Sequence, residues 1–302
     1  MTSSVPRLDL AGLFPPIPTP FDDSGAILFD RLTENLDRWN GEPLAGYVVG
    51  GSNGEFPLLS AEERVAVVRH VRRAAGARLV LAGSGAESTA ATIALTEAMA
   101  EAGADAVLVV TPGYYRSRMS PGALIGHYAA VAERSPVPVV IYNVPANTGV
   151  DVPAEVPIEL SHHPRIVGIK DSAGDVARLA RVAAEAAEGF QVLAGSAGFL
   201  LAALSVGAVG AVAALANIAA GSLDEMMRAH REGDVARARS IQARLVEANA
   251  AVTTRFGVPG LKAAMDLVGR YGGPPRRPLL ALEEGERAAL QEVLRRAGLL
   301  GS

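Results

Sequence analysis

No cysteine occurs among the 302 residues. That excludes a disulfide framework, a thiolate nucleophile and a zinc–thiolate centre, and leaves the compartment open. Aromatic residues make up only 5%, no basic block is present and the net charge is −4. The chain therefore has neither the stacking platforms nor the electrostatic footprint of a nucleic-acid binder, and small molecules are the expected partners. Histidine is scarce too. His70, His127, His162, His163 and His230 fall in expected helices or loops without ligand spacing, so no metal site is expected. The N-terminal Met-Thr-Ser-Ser-Val-Pro-Arg lacks the apolar core of a signal peptide, which makes the cytoplasm the expected location.

Charge is missing altogether between Glu188 and Asp224, and Phe199 to Ala220 is apolar enough to resemble a membrane span. Gly195, Gly198, Gly207, Gly210 and Asn217 interrupt it where turns would separate a strand, a buried helix and another strand. The interior of a folded domain is the better home for this segment, and no membrane partner is expected.

Lysine is the most informative scarcity. Of 28 basic residues only Lys170 and Lys262 are lysines, and Lys170 ends the apolar run Ile166-Val-Gly-Ile-Lys170. Arginine stays protonated in proteins, whereas a desolvated lysine can lose its proton and attack a carbonyl. A lysine kept at the mouth of a buried strand thus points to Schiff-base chemistry. The bland alternative is a strand-end lysine whose head snorkels to solvent.

Short apolar or β-rich runs recur, at Phe14 to Pro18, Gly46 to Val49, Leu79 to Ala82, Ala106 to Val110, Val137 to Tyr142, Ile166 to Ile169, Gln191 to Ala194 and Ala208 to Ala213. The segments between them, such as Ala61 to Ala75 and Ser88 to Ala102, carry apolar residues at helical spacing. Eight strand–helix units without a long linker favour an α/β fold of the closed (β/α)₈ (TIM) barrel type over an open doubly wound sheet. Residues 1–221 are the expected catalytic barrel. Beyond it, Leu223 to Glu232, Val235 to Thr253 and Leu282 to Leu300 read as helices, so 222–302 is expected to be a helical extension packed on the barrel.

In such barrels the chemistry sits at the C-terminal ends of strands. Here those ends carry Gly50-Gly-Ser-Asn-Gly-Glu55, Thr111-Pro-Gly-Tyr-Tyr115, Tyr142-Asn-Val-Pro145, Lys170-Asp-Ser172 and Gly195-Ser196. Strand alternation points Lys170 and Ser172 into the mouth and Asp171 away, as a helix cap or a structural carboxylate. Tyr142 ends the preceding strand, so its phenol should lie beside the amine, where it could move protons or simply be a rim aromatic. The glycines around Ser52 let hydroxyl and backbone N–H groups approach a carboxylate. The same segment could be an ordinary turn before a helix capped by Ser60-Ala-Glu-Glu63. Gly83-Ser-Gly85 reaches Ser88 where a dinucleotide fingerprint needs its third glycine, so no nicotinamide cofactor is expected.

With these residues assembled, the chain resembles the dihydrodipicolinate synthase/N-acetylneuraminate lyase superfamily of pyruvate-dependent class I aldolases. The resemblance runs from Pro16 to about Gly273 and rests on Gly51-x-x-Gly-Glu55, Thr111-Pro-x-Tyr114, Tyr142-Asn-Val-Pro145 and Gly168-Ile-Lys170. Within it, Gly51-Ser-Asn-Gly-Glu-Phe56, Pro145-Ala-Asn-Thr-Gly149, Leu193-Ala-Gly-Ser-Ala-Gly-Phe199 and Arg255-Phe-Gly-Val-Pro-Gly-Leu-Lys262 look most like 4-hydroxy-2-oxoglutarate aldolase.

The resemblance implies that Lys170 forms the imine and Tyr142 moves protons. Ser52 would link the phenols and bind the pyruvyl carboxylate, with Asn53, Ser172, Gly195 and Val212 also in the substrate site. Tyr114 would complete the relay from a neighbouring subunit, although Gly113 stands where many relatives have the first of two tyrosines, so Tyr115 is the other candidate. The implied assembly is a homotetramer of tight dimers with a 2-oxo acid substrate and no cofactor. Synthases of the superfamily carry an arginine where this chain has Asn147 and threonines at the places of Ser52 and Asn53. The expected reaction is therefore cleavage of 4-hydroxy-2-oxoglutarate to pyruvate and glyoxylate. 4-Hydroxy-tetrahydrodipicolinate synthase, a related sugar-acid aldolase or a dehydratase is the alternative. A small-molecule sensor on a degenerate barrel is the non-enzyme rival.

Overall fold

The computed structural model describes residues 8–300. Eight short strands follow one another: β1 (Gly12–Phe14), β2 (Gly46–Val49), β3 (Leu79–Gly83), β4 (Ala106–Val110), β5 (Val139–Asn143), β6 (Ile166–Asp171), β7 (Gln191–Ala194) and β8 (Gly210–Val212). Every pairing in the sheet is parallel, and the order β1-β8-β7-β6-β5-β4-β3-β2 brings its two ends together. A bridge between Pro16 and Val48, with Ala45 N–H donating to Leu13 and Ile17 N–H to Val48, closes the ring. The chain is thus a (β/α)₈ barrel.

Between the strands lie α1 (Phe29–Trp39), α2 (Ala61–Ala74), α3 (Thr89–Glu101), α4 (Pro121–Arg134), α5 (Pro145–Thr148), α6 (Glu155–Leu160), α7 (Val176–Glu185) and α8 (Leu200–Ser205). The C-terminal part adds α9 (Ala216–Arg231), α10 (Val235–Ala250), α11 (Gly257–Leu267) and α12 (Glu284–Arg296). Local chemistry sets several boundaries. Ser60 and Glu63 form a reciprocal capping box on α2, and the Ser88 hydroxyl accepts from Ala91 N–H at the start of α3. The serine that breaks the dinucleotide fingerprint is therefore a helix cap.

Two separate cores result. One lies between the outer face of the sheet and the helices. The other fills the barrel with Leu10, Phe14, Val48, Leu81, Leu108, Val140, Tyr142, Leu193 and Val212 among others. Opposite faces of each strand feed opposite cores, as the two-residue period requires.

Several boundaries differ from the sequence reading. β1 spans Gly12–Phe14 rather than Phe14 to Pro18, β5 begins at Val139 rather than Val137, β8 is Gly210–Val212 rather than Ala208 to Ala213, and α9 begins at Ala216 rather than Leu223. Pro15, Pro16, Pro18 and Pro138 have no N–H to give to a ladder. One helix, α11, is absent from the sequence reading. Gly257, Pro259 and Gly260 argue against a helix, yet Pro259 sits in its first turn, where its missing donor is not needed. The apolar stretch from Phe199 to Ala220 is divided among α8, β8 and the start of α9, and among the described residues no helix is long and apolar enough to cross a membrane. α9 runs through positions 221 and 222 and kinks at Ala219, so helix and barrel are continuous there.

Candidate active site

Tyr142 and Lys170 are register partners on β5 and β6, and both are almost fully buried, at 4% and 3% exposure. The Lys170 ammonium nitrogen lies 3.7 Å from the centroid of the Tyr142 ring. The Tyr142 phenol also meets the Ser52 hydroxyl at 3.2 Å. Burial by itself would raise the phenol's pKa. The Lys170 charge opposes it, with hydrogen bonding from Ser52, Lys170 and Ser172, and together these hold Tyr142 below its ordinary value of 10.0. A phenol of lowered pKa beside an amine can accept and return a proton without leaving the pocket.

Ser52 sits on a short turn, Ser52–Gly54, that follows β2. Glu55 ends the turn and is the only non-glycine residue at positive φ among the described residues, at φ 59°. That conformation costs about 1–2 kcal/mol for a side chain with a Cβ, so the surroundings must enforce it. Asn53 is half-buried on the same turn. Ser172 follows β6, and its hydroxyl donates to the Gly195 carbonyl at 3.4 Å. Ser52, Tyr142, Lys170, Ser172 and Gly195 thus converge at one end of the barrel. Val212 is fully buried in the barrel interior.

Behind this group lies an ionic network. Asn143 donates to both Asp151 and Asp171, at 2.9 Å each, and Arg178 pairs with the same two carboxylates at 2.8 and 3.3 Å. Asp171 is therefore a structural carboxylate that locks the ends of β5 and β6. The residue that caps α7 is Asp175.

A cleft of about 850 Å³ opens above the site. Ser52, Tyr114, Val144, Asn147 and Thr148 line it, facing Phe256 to Pro259 and Leu279 from the C-terminal part. Neither Lys170 nor Tyr142 touches the cleft. Phe56, Gly85 and Val110 line both the cleft and a narrow recess at Tyr142, and Ser52 bridges the two levels. Tyr114 is 78% exposed and Tyr115 71%, with their rings edge to face at 5.0 Å. No side-chain hydrogen bond joins Tyr114 to Ser52 or Tyr142 among the described residues. Its backbone N–H donates instead to Glu87 at 2.9 Å. Among the described residues no group of His, Cys, Asp and Glu is arranged to hold a metal ion.

Sequence reasoning gave the second lysine no role. Lys262 is buried against Glu55 at 2.7 Å, three residues from Ser52. The rarity of lysine that singles out Lys170 applies equally to Lys262.

The profile of the Dihydrodipicolinate synthetase family matches residues 9–297. A 4-hydroxy-tetrahydrodipicolinate synthase of Jannaschia sp. (strain CCS1) is 37% identical over 290 residues, covering 96% of this chain and 99% of the relative. A protein of Emericella nidulans, named as a probable mitochondrial 4-hydroxy-2-oxoglutarate aldolase, is 40% identical over 256 residues, 83% of this chain and 82% of the relative. The crystal structure of a dihydrodipicolinate synthase from Acinetobacter baumannii complexed with pyruvate superposes with a TM-score of 0.92 at 30% identity, covering 97% of this chain and all of that one. The family profile spans nearly the whole chain and the relatives match it over most of their own length, so the chain belongs to the dihydrodipicolinate synthetase family of lyases.

Proposed function

We propose that the protein is a pyruvate-dependent Schiff-base lyase that makes or breaks a carbon–carbon bond. The observation that carries this reading is the buried Lys170 amine stacked on a Tyr142 phenol that also contacts Ser52. Two carbonyl-bearing fragments can be joined or parted on such a pair. The Lys170 nitrogen attacks the C2 ketone of the substrate and water leaves, giving an iminium that withdraws electrons from C3. In the cleavage direction Tyr142 takes the C4 hydroxyl proton, the C3–C4 bond breaks, and its electron pair passes into the iminium as an enamine. The aldehyde fragment departs, C3 is protonated, and water hydrolyses the imine to free pyruvate and the amine. In this reading Ser52 binds the pyruvyl carboxylate and relays the proton toward the cleft, and Asn53 and Ser172 hold the remaining polar groups.

For the aldehyde fragment, the site residues support glyoxylate, which makes the reaction cleavage of 4-hydroxy-2-oxoglutarate. Asn147 lines the cleft at the place where the superfamily's synthases are expected to carry an arginine. An amide offers no bidentate clamp for the distal carboxylate of aspartate semialdehyde. The Emericella relative's name agrees with this choice. The second reading, 4-hydroxy-tetrahydrodipicolinate synthase, is supported by the names of most of the similar relatives, the Jannaschia protein included. The exposed Tyr114 and Tyr115 suit a tetramer of tight dimers in which one of them reaches a neighbour's site.

Borohydride trapping of pyruvate on the protein, followed by peptide mapping, tests the imine. Comparison of kcat/KM for glyoxylate and aspartate semialdehyde with pyruvate separates the two acceptors. A faster reaction with the semialdehyde overturns the aldolase assignment in favour of the synthase and leaves the imine in place. Absence of a trapped adduct overturns the whole reading.

A further inference from the structure

The chain uses 26 arginines and two lysines, and the second lysine is as buried as the first. Lys262, on α11, forms an ion pair with Glu55 at 2.7 Å, with side chains only 1% and 0% exposed. Replacing a buried ion pair by apolar side chains is often neutral or stabilising, so the pair is poorly explained as a source of stability alone. Its position suggests another role. The Glu55 N–H donates to the Ser52 carbonyl at 3.1 Å, closing the turn that carries Ser52. Glu55 also holds the positive φ that ends this turn, a conformation that must be imposed from outside.

The imposing groups come from the C-terminal part of the chain. Lys262 holds one carboxylate oxygen of Glu55, and the Arg276 backbone N–H donates to the other at 2.7 Å. Lys262 also donates to the Pro274 carbonyl at 2.8 Å and lies 4.4 Å over the Phe21 ring. The Arg276 guanidinium grips both oxygens of Glu63, the residue of the α2 capping box. A compact ammonium meets one carboxylate oxygen and one carbonyl here, a demand that the five-donor fork of arginine does not match. This explains a lysine where the chain otherwise uses arginine. α11 begins at Gly257, within the segment that walls the cleft, so the same anchor fixes cleft wall and Ser52 turn together.

We propose that Glu55 and Lys262 are positioning residues whose buried ion pair sets the Ser52 hydroxyl against Tyr142 and thereby makes the C-terminal helices part of the catalytic apparatus. The inference rests on the roles given to Tyr142 and Ser52 above. It deepens them by placing their geometry under the control of a residue remote in sequence.

The test compares wild type, Lys262→Met, Ser52→Ala and the double variant, with thermal melting to confirm that each is folded. Turnover in Lys262→Met should fall between about 10-fold and 10²-fold, the scale of a displaced reacting group, while pyruvate still becomes trapped on Lys170. In the Ser52→Ala background the same substitution should cost less than about twofold more, because its target is already gone. A second readout needs no substrate. The ionisation of Tyr142, isolated as the ultraviolet difference against Tyr142→Phe, should move to higher pH in Lys262→Met and show no further move when Ser52 is absent.

Losses that multiply in the double variant, or a Tyr142 shift that persists without Ser52, overturn the proposal, since either shows a general or directly electrostatic effect. Full turnover in Lys262→Met overturns it as well. If Lys262→Met does not fold, the paired Glu55→Gln/Lys262→Gln variant, whose amides can hydrogen-bond, is put through the same comparison with the same expectations. A wild-type protein that traps no pyruvate overturns the imine reading instead, and the Tyr142 titration still decides this one.

Discussion

Gly195 and Ser172 approach so closely that a Cβ at position 195 would stand 2.0 Å from the Ser172 hydroxyl oxygen. The same Cβ would lie 2.7 Å from the Asp171 carbonyl oxygen, to which Gly195 N–H donates. A missing side chain on β7's exit therefore fixes where the hydroxyl beyond β6 can be. Gly195→Ala should displace Ser172 and lower kcat/KM by about 10- to 10²-fold. Its overpacking should destabilise the fold by about 1–3 kcal/mol. Steady-state kinetics together with a thermal melt measure both, and an unchanged kcat/KM in a folded Gly195→Ala protein would show that Ser172 has no part in the site.

Lys170→Arg should keep the positive charge above Tyr142 and lose the nucleophile. The expected protein is folded, binds pyruvate and yields no borohydride-trapped adduct. Mass spectrometry of the treated protein reads the outcome directly. An adduct on Lys170→Arg would move the imine elsewhere, with Lys262 the only other lysine.

Tyr142→Phe should reduce turnover by about 10²- to 10⁴-fold with little change in pyruvate binding. The phenol also leaves a signature in stability. Despite burial, the Lys170 charge and the hydrogen bonds hold its folded-state pKa below the ordinary value of 10.0, so the fold favours the ionised form. That contribution is absent below the lowered value, grows as pH rises through it and is complete above the ordinary value. The melting temperature of wild type relative to Tyr142→Phe should thus increase toward alkaline pH. Tyr47, pushed up to about 12 by burial, and Tyr128, pushed up further in full burial, stay protonated across this window. A difference that is flat with pH would contradict the lowered phenol.

Asn147→Arg should supply the cleft with the clamp it lacks. Two parallel N–H donors facing the distal carboxylate of aspartate semialdehyde should raise kcat/KM for that acceptor by about tenfold or more, the return of a bidentate charge-assisted contact. Reaction with glyoxylate should gain nothing comparable, since its carboxylate is borne on the aldehyde carbon, closer to Lys170. Equal gains for both aldehydes would show that position 147 does not read the acceptor.

The barrel was legible because its information is local and repeated. Each of the six strands from Gly46–Val49 to Gln191–Ala194 is a short apolar run between helical segments, and with the runs at either end eight such units leave few parallel architectures. Lys170, Ser172 and Tyr142 could be aimed from the same alternation, because strand neighbours share a register and Tyr142 is indeed paired with Lys170. Ser60 announced its helix for an equally local reason.

Other features belong to contacts between distant parts of the chain. Asp171 could be sent away from the mouth by alternation, but only the fold shows Asn143 and Arg178 waiting for it. Gly195 gave no hint that its bare Cα makes room for Ser172. Lys262 is the clearest case. Composition marked it as unusual, yet nothing near it in sequence says that Glu55, more than two hundred residues earlier, needs a buried cation. Periodicity and turn chemistry report on neighbours a few residues apart, so the sequence by itself determined the barrel, which residues stand at its strand ends, and the family. The ion pair that joins the Ser52 turn to the C-terminal helices exists only once the chain has closed, because its two charges need each other only after both have lost water.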